Sequence, residues 1–215
     1  MRLGVFDSGI GGKTIADRLQ HDYPSAEIIY VDDREHVPYG SRSQAEIIKL
    51  TDTAVQPLIK AKCDVIVLAC NTATAAAIDA LRNMYPTQLF IGLEPMLKPA
   101  SILTKTGIIA VCATPFTLSS QRYNELKRKY ASNITVLEPD CSNWAYMIEH
   151  NSVEDMKIAE VVEQVCAADA DVIVLACTHY HWIKDKMLKM VNGRAIIIDP
   201  SEAISKRVGK LLGSS

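Results

Sequence analysis

The sequence predicts an α/β protein of two similar halves, and three observations carry that prediction. Short β-branched apolar runs alternate with helical stretches along all 215 residues. The heptapeptide DVIVLAC occurs twice, at 64–70 and again 107 residues later at 171–177. The order of parts around each copy is also the same. Alternating strands and helices imply βαβ units and parallel sheets covered on both faces.

The strands are predicted where apolar runs have the length and β-branching of buried parallel strands. They are RLGVFD (2–7), EIIYVDD (27–33), DVIVLAC (64–70), LFIGL (89–93), GIIAVCA (107–113), NITVLEP (133–139), DVIVLAC (171–177) and AIIID (195–199). Helical periodicity places helices over 12–22, 42–61, 73–84, 117–130, 152–168, 181–191 and 201–212. Each half then reads as a strand opening at glycine (Gly4 or Gly107), a helix, a second strand, a long helix, DVIVLAC and another helix. The expected architecture is two pseudo-symmetric, doubly wound parallel-sheet domains facing across a central cleft. Residues 1–93 plus about 196–215 would form the first domain and 94–195 the second.

Composition narrows the function. Apolar residues make up 48% of the chain, enough for a substantial core. The formal charge of −2 comes from 23 basic and 25 acidic side chains spread along the sequence, with no basic stripe for nucleic acid. No apolar run approaches the roughly 18–20 residues that span a bilayer, and Met1-Arg2-Leu3 leads straight into a strand, so the expected location is cytoplasmic. The six cysteines (Cys63, Cys70, Cys112, Cys141, Cys166, Cys177) form no CxxC pair, which argues against a zinc ribbon or a disulfide framework.

In open α/β sheets ligands lie outside the carboxyl ends of the strands. Each DVIVLAC copy ends there in a cysteine, Cys70 or Cys177, followed by a small polar pair: Asn71-Thr72 or Thr178-His179. A helix N-terminus at that point offers N–H donors and a positive dipole end, suited to a carboxylate or an activated thiolate. The first strand ends similarly in Asp7-Ser8-Gly9-Ile10-Gly11-Gly12, whose glycines let backbone amides approach a ligand. With Lys13-Thr14 this loop nearly spells a phosphate-binding Walker motif. Its first required glycine, however, falls on Asp7, where a carboxylate would face the phosphates. Lys13 is therefore expected at the surface. Zinc would accept Cys70, Cys177, His179 and Asp7, but none of their spacings is a zinc signature, and no metal is expected.

Taken together, GVFDSGIGG (4–12), VPYG (37–40), ACNTA (69–73), IGLEP (91–95), ATPFTLSSQRY (113–123) and ACTHY (176–180) resemble the cofactor-independent glutamate racemases of the aspartate/glutamate racemase superfamily. The stretches run in the family's order over nearly the whole chain. The resemblance implies catalytic cysteines at Cys70 and Cys177, assisted by Asp7 and His179 respectively. It implies substrate contacts from Asp7, Ser8, Tyr39, Gly40, Asn71, Thr72, Thr178 and His179, with Asp33 and Glu149 as acids behind them. It implies no cofactor, glutamate as the partner molecule, and a supply of D-glutamate for peptidoglycan. The family pattern continues past the helix at 201–212 into a further strand and helix, a difference that bears on dimer contacts and leaves a homodimer open. His181 and Trp182 stand where Pro-Leu is common.

The resemblance also explains the repeat. Racemisation removes the α-proton from one face of an amino acid and returns a proton to the other, so two groups in opposite protonation states serve it best. Two alternatives remain: a racemase of aspartate or of broader range, and a binding or regulatory homologue without turnover, since some glutamate racemases also inhibit DNA gyrase.

Overall fold

The computed structural model describes residues 1–213. They divide into two units, Met1–Glu94 with the chain from Pro200 onward, and Pro95–Asp199. The first unit runs β1 (Arg2–Asp7), α1 (Lys13–Asp22), β2 (Glu27–Asp32), α2 (Gln44–Lys60), β3 (Val65–Leu68), α3 (Asn71–Met84) and β4 (Leu89–Gly92). The second runs α4 (Leu97–Leu103), β5 (Ile108–Cys112), α5 (Pro115–Ser119), α6 (Gln121–Tyr130), β6 (Thr135–Leu137), α7 (Trp144–Glu149), α8 (Ile158–Ala167), β7 (Val172–Leu175), α9 (Lys184–Val191) and β8 (Ile196–Ile198). The last helix, α10 (Ser201–Leu212), packs on the first unit.

Each unit holds a four-stranded, all-parallel sheet, ordered β2-β1-β3-β4 in the first and β6-β5-β7-β8 in the second. The orders correspond strand for strand, so the sequence repeat is also a repeat of topology. In each sheet the winding reverses between the first and third strands, and ligands bind at the carboxyl ends beside such a reversal. The two copies of DVIVLAC supply those third strands, β3 and β7, whose four residues are fully buried. The pairing Phe6↔Leu68 corresponds to Cys112↔Leu175. By that register Asp7 and Ser8 of the first unit correspond to Ala113 and Thr114 of the second.

The leading aspartate of each copy ties its strand to the neighbouring one. The amide of Arg2, opening β1, donates to Asp64 Oδ2 at 2.7 Å. Asp171 accepts from the Thr104 hydroxyl (2.5 Å) and from the amides of Lys105 (2.6 Å) and Thr106 (3.1 Å), in the turn before β5. Burial opposes the charge on Asp171, yet these hydrogen bonds hold its carboxyl below the usual range.

Leu3, Val5, Val65 and Val67 pack with Ile15 and Leu19 of α1 and with Ile204 and Val208 of α10. In the second unit Ile109, Val111, Val172 and Val174 pack with Leu97 and Ala100 of α4 and Tyr123 of α6. Full burial of each such aliphatic side chain contributes about 1.5–3 kcal/mol. Close packing also explains one glycine: a Cβ on Gly92 would lie 2.3 Å from Thr74 Cγ2, so α3 sits this tightly on β4 only because position 92 has no side chain.

The structure departs from the sequence expectations in several places. β8 pairs with β7, so 196–199 belong to the second unit, whereas a boundary at about 196 would put them in the first. The helix expected over 117–130 is two, because Ser120 is extended and its hydroxyl caps α6 at the Tyr123 amide. Helix 152–168 begins only at Ile158. The helices α4 and α7 were not expected: α4 carries Pro99, which a first turn tolerates, and α7 has six residues, too few for a clear period. No helix among the described residues is long and apolar enough to cross a membrane.

Candidate active site

In the first unit the carboxyl ends of β1 and β3 bring together Asp7, Ser8 and Cys70. Asp7 is fully buried, and its Oδ2 accepts from the amides of Gly9 (3.1 Å) and Gly12 (3.0 Å). A Cβ on Gly12 would lie 2.4 Å from Asp7 Cβ, so only glycine lets the loop close over this carboxylate. These loop amides point at Asp7 rather than outward at an anion, which is why the sequence's near-Walker pattern forms no phosphate cradle. Lys13 lies exposed on α1, paired with Asp17 at 2.9 Å.

The Cys70 sulfur caps α3. It accepts from the Ala73 amide at 3.4 Å and lies 3.2 Å from the Ser8 hydroxyl. A helix N–H and a hydroxyl both favour negative charge on sulfur. The next two residues, Asn71 and Thr72, are each only 4% exposed. Among the described residues neither the amide nitrogen nor the amide oxygen of Asn71 meets a hydrogen-bond partner. Leaving such a group unpaired costs about 1–3 kcal/mol, so a polar ligand at this point would recover what the fold leaves unsatisfied.

Tyr39 and Gly40 lie in a short 3-10 turn, Tyr39–Ser41. The Tyr39 phenol is buried and donates to Asp33 Oδ2 at 2.6 Å, and its ring tilts against Phe6 with centroids 6.4 Å apart. Burial foremost, then the hydrogen bond and charge of Asp33 and the nearby Cys70 thiol, hold this phenol far above the usual tyrosine range. The Asp33 amide donates to Asp7 O at 3.1 Å, which keeps this acid beside the end of β1.

In the second unit Cys177 follows β7, and the chain turns into a 3-10 segment, Thr178–Ile183, before α9. Cys177 Sγ lies 3.8 Å from His179 Nδ1, and His179 Nε2 lies 2.7 Å from Glu149 Oε2 at the end of α7. Thiol, imidazole and carboxylate thus form one chain, with the imidazole and the carboxylate side chains only 5% and 10% exposed. Thr178 is buried beside them. A carboxylate on Nε2 orients the ring so that Nδ1 faces the sulfur and stabilises the imidazolium that accompanies a thiolate.

The supports of this chain are apolar. Trp144 meets Tyr180 edge-on at 5.4 Å, and the Tyr180 hydroxyl donates to Cys141 O at 2.9 Å. A hydrogen bond with Cys112, then burial, raises the Cys141 thiol far above the usual range, so Cys141 fills space as a neutral thiol. Among the described residues no group of three or more His, Cys, Asp or Glu side chains is arranged to hold a metal ion.

Each sequence-predicted site residue therefore joins one of two clusters. Asp7, Ser8, Asp33, Tyr39, Gly40, Cys70, Asn71 and Thr72 lie in the first unit, and Glu149, Cys177, Thr178 and His179 in the second. Two contacts were not legible beforehand. Ser8, expected against the substrate, touches the Cys70 sulfur, and Glu149, expected only as a nearby acid, pairs directly with His179. The strand register could have signalled the first; the second joins residues 30 positions apart with no local pattern linking them.

Twin parallel sheets, each with a thiol at its reversal point, make this a duplicated α/β protein, and the family comparison says of which kind. Residues 13–208 match the Asp/Glu/hydantoin racemase family model, and the chain belongs to that family of isomerases. A glutamate racemase of Ectopseudomonas mendocina is 34% identical, covering 98% of this chain and 82% of its own. The crystal structure of Escherichia coli glutamate racemase with L-glutamate and the activator UDP-MurNAc-Ala aligns at TM-score 0.85 and 26% identity, over 99% of this chain and 82% of that one. Glutamate racemase from Francisella tularensis, in complex with D-glutamate, aligns at TM-score 0.81 and 32% identity, over 99% and 81%.

Proposed function

We propose that this protein is a cofactor-independent glutamate racemase of the cytoplasm, interconverting L- and D-glutamate through Cys70 and Cys177 and supplying D-glutamate for peptidoglycan. The observation that carries the reading is the twin placement of a buried thiol at the carboxyl end of the third strand of each sheet, each beside groups that favour thiolate.

In one direction a thiolate removes the α-proton from one face of glutamate, and the C–H electron pair becomes the carbanion at Cα. The other thiol then delivers its proton to the opposite face, and its S–H electron pair remains on sulfur. The sulfurs finish in exchanged protonation states, ready for the reverse reaction. The Asn71 amide and the Thr72 and Thr178 hydroxyls bind the substrate's carboxylates and offset charge as the proton leaves. Asp7 and Ser8 support the Cys70 end, while Glu149 supports the imidazolium at the Cys177 end.

The test is chiral analysis of L-glutamate and L-aspartate, each incubated with the purified protein and no added cofactor. The expected result is conversion of glutamate toward an equal mixture of enantiomers, with aspartate much slower. Aspartate inverted faster than glutamate would reassign the substrate, and inversion of neither would overturn the racemase reading.

A further inference from the structure

A histidine outside both thiol clusters is hydrogen-bonded to an acid of the first. His36 Nδ1 lies 2.7 Å from Asp33 Oδ1, and the other oxygen of the same carboxylate accepts the Tyr39 hydroxyl at 2.6 Å. The Asp33 side chain is 14% exposed and His36 is 40% exposed, so the chain runs from the surface inward to the phenol. Arg42 closes the loop from the other side, its Nε and Nη2 donating to His36 O at 3.0 and 2.8 Å. The Arg42 amide in turn donates to Tyr39 O at 3.0 Å. Ring and backbone of His36 are both tied, and each tie leads to Tyr39.

We infer that His36 is a positioning residue for glutamate binding: by engaging Asp33 Oδ1 it fixes the rotation of that carboxylate, and thereby the place of the Tyr39 hydroxyl. This deepens the proposed function and rests on Tyr39 lying in the substrate site. A carboxylate held at one oxygen can swing about its Cβ–Cγ bond, whereas one held at both keeps a single orientation. The phenol that reads its position from Oδ2 is then pre-organised before substrate arrives. His36 meets the first cluster at Asp33 rather than at the sulfur, so its effect falls on binding rather than on proton transfer.

Three variants separate this role from general loop stability. Asparagine places its amide nitrogen near the position of Nδ1, glutamine near that of Nε2, and alanine provides neither. H36A and H36Q are expected to raise KM for glutamate about fivefold with kcat within about twofold of wild type, and H36N to restore KM to within about twofold. An unchanged KM in H36A and H36Q, or H36N behaving like H36Q, overturns the proposal; so does a fall in kcat with KM constant. Hydrogen exchange of the amides at 39–42 provides a readout independent of turnover. It should quicken severalfold in H36A and H36Q but not in H36N. If wild type fails to racemise glutamate while this exchange pattern holds, the substrate assignment fails and the clamp stands. If wild type racemises glutamate and the pattern is absent, the clamp alone is wrong.

Discussion

Cys70 and Cys177 end the same heptapeptide in the same strand position of two equivalent sheets, yet their surroundings differ. Cys70 leads directly into the 14-residue helix α3 and takes its first-turn amide, with a serine hydroxyl alongside. Cys177 leads into a six-residue 3-10 segment that its side chain does not cap, and an imidazole held by a half-buried glutamate stands at its sulfur instead. The strand register sharpens the contrast, since the places of Asp7 and Ser8 are taken by Ala113 and Thr114. Duplicated backbone positions the thiols; local helix geometry decides what must support each one. Where an α-helix begins at the sulfur, its own N–H groups serve. Where it does not, an imidazole side chain stands at the sulfur instead.

The largest test of this comparison is removal of either thiol. C70S and C177S should each lose about 10²- to 10⁴-fold in activity in both directions, because in the proposed mechanism every turnover uses both sulfurs. Enantiomers are equally stable in water, so kcat/KM must fall equally for L- and D-glutamate whichever half is altered. The halves are told apart by α-hydrogen exchange with solvent. Each serine variant should retain slow exchange in only one enantiomer, and the two variants should retain it in opposite ones. Full racemase activity in C177S would make the second DVIVLAC a purely structural repeat.

H179A should come next, with a loss of about 10²-fold, and E149Q should follow at about tenfold, since Glu149 acts on the sulfur only through the ring. Equal losses in the two variants would mean that the carboxylate does more than orient the imidazole. S8A removes a single neutral contact to the Cys70 sulfur and should cost about three- to tenfold, measured as kcat/KM. If S8A proved as damaging as H179A, the first half would depend on its side chain as heavily as the second, and the contrast drawn above would fail.

The smallest effect concerns the leading aspartates. Among the described residues Asp171 accepts three hydrogen bonds and Asp64 one, so D171N should lower the melting temperature more than D64N. Because the folded-state pKa of Asp171 is depressed, its contribution is present above the ordinary aspartate value of about 4 and is lost as pH falls below it. Wild type and D171N should therefore converge in stability toward acid pH, as followed by thermal melts.

The sheets were legible in the sequence because buried parallel strands leave dense β-branched runs, and the literal repeat exposed their equivalence. The thiols were legible for the same reason, as the last residues of those runs. Partners that arrive from other elements were harder to see. Glu149 reaches His179 from a helix of six residues, and His36 reaches Tyr39 only through Asp33, so neither contact leaves a periodic or adjacent pattern. The boundary near 196 misled because AIIID reads equally well as a strand of either unit. Only its pairing with β7 decides it.

Glutamate racemisation in deuterated water, stopped at a few per cent conversion, tests the two-thiol claim most directly. Starting from L-glutamate, the account predicts D-glutamate carrying deuterium at the α-carbon, because its new proton comes from a thiol in exchange with solvent, while the recovered L-glutamate remains protiated. D-glutamate that keeps the original α-proton, or recovered L-glutamate that gains deuterium as fast as product forms, would point to a single base serving both faces and would contradict the account.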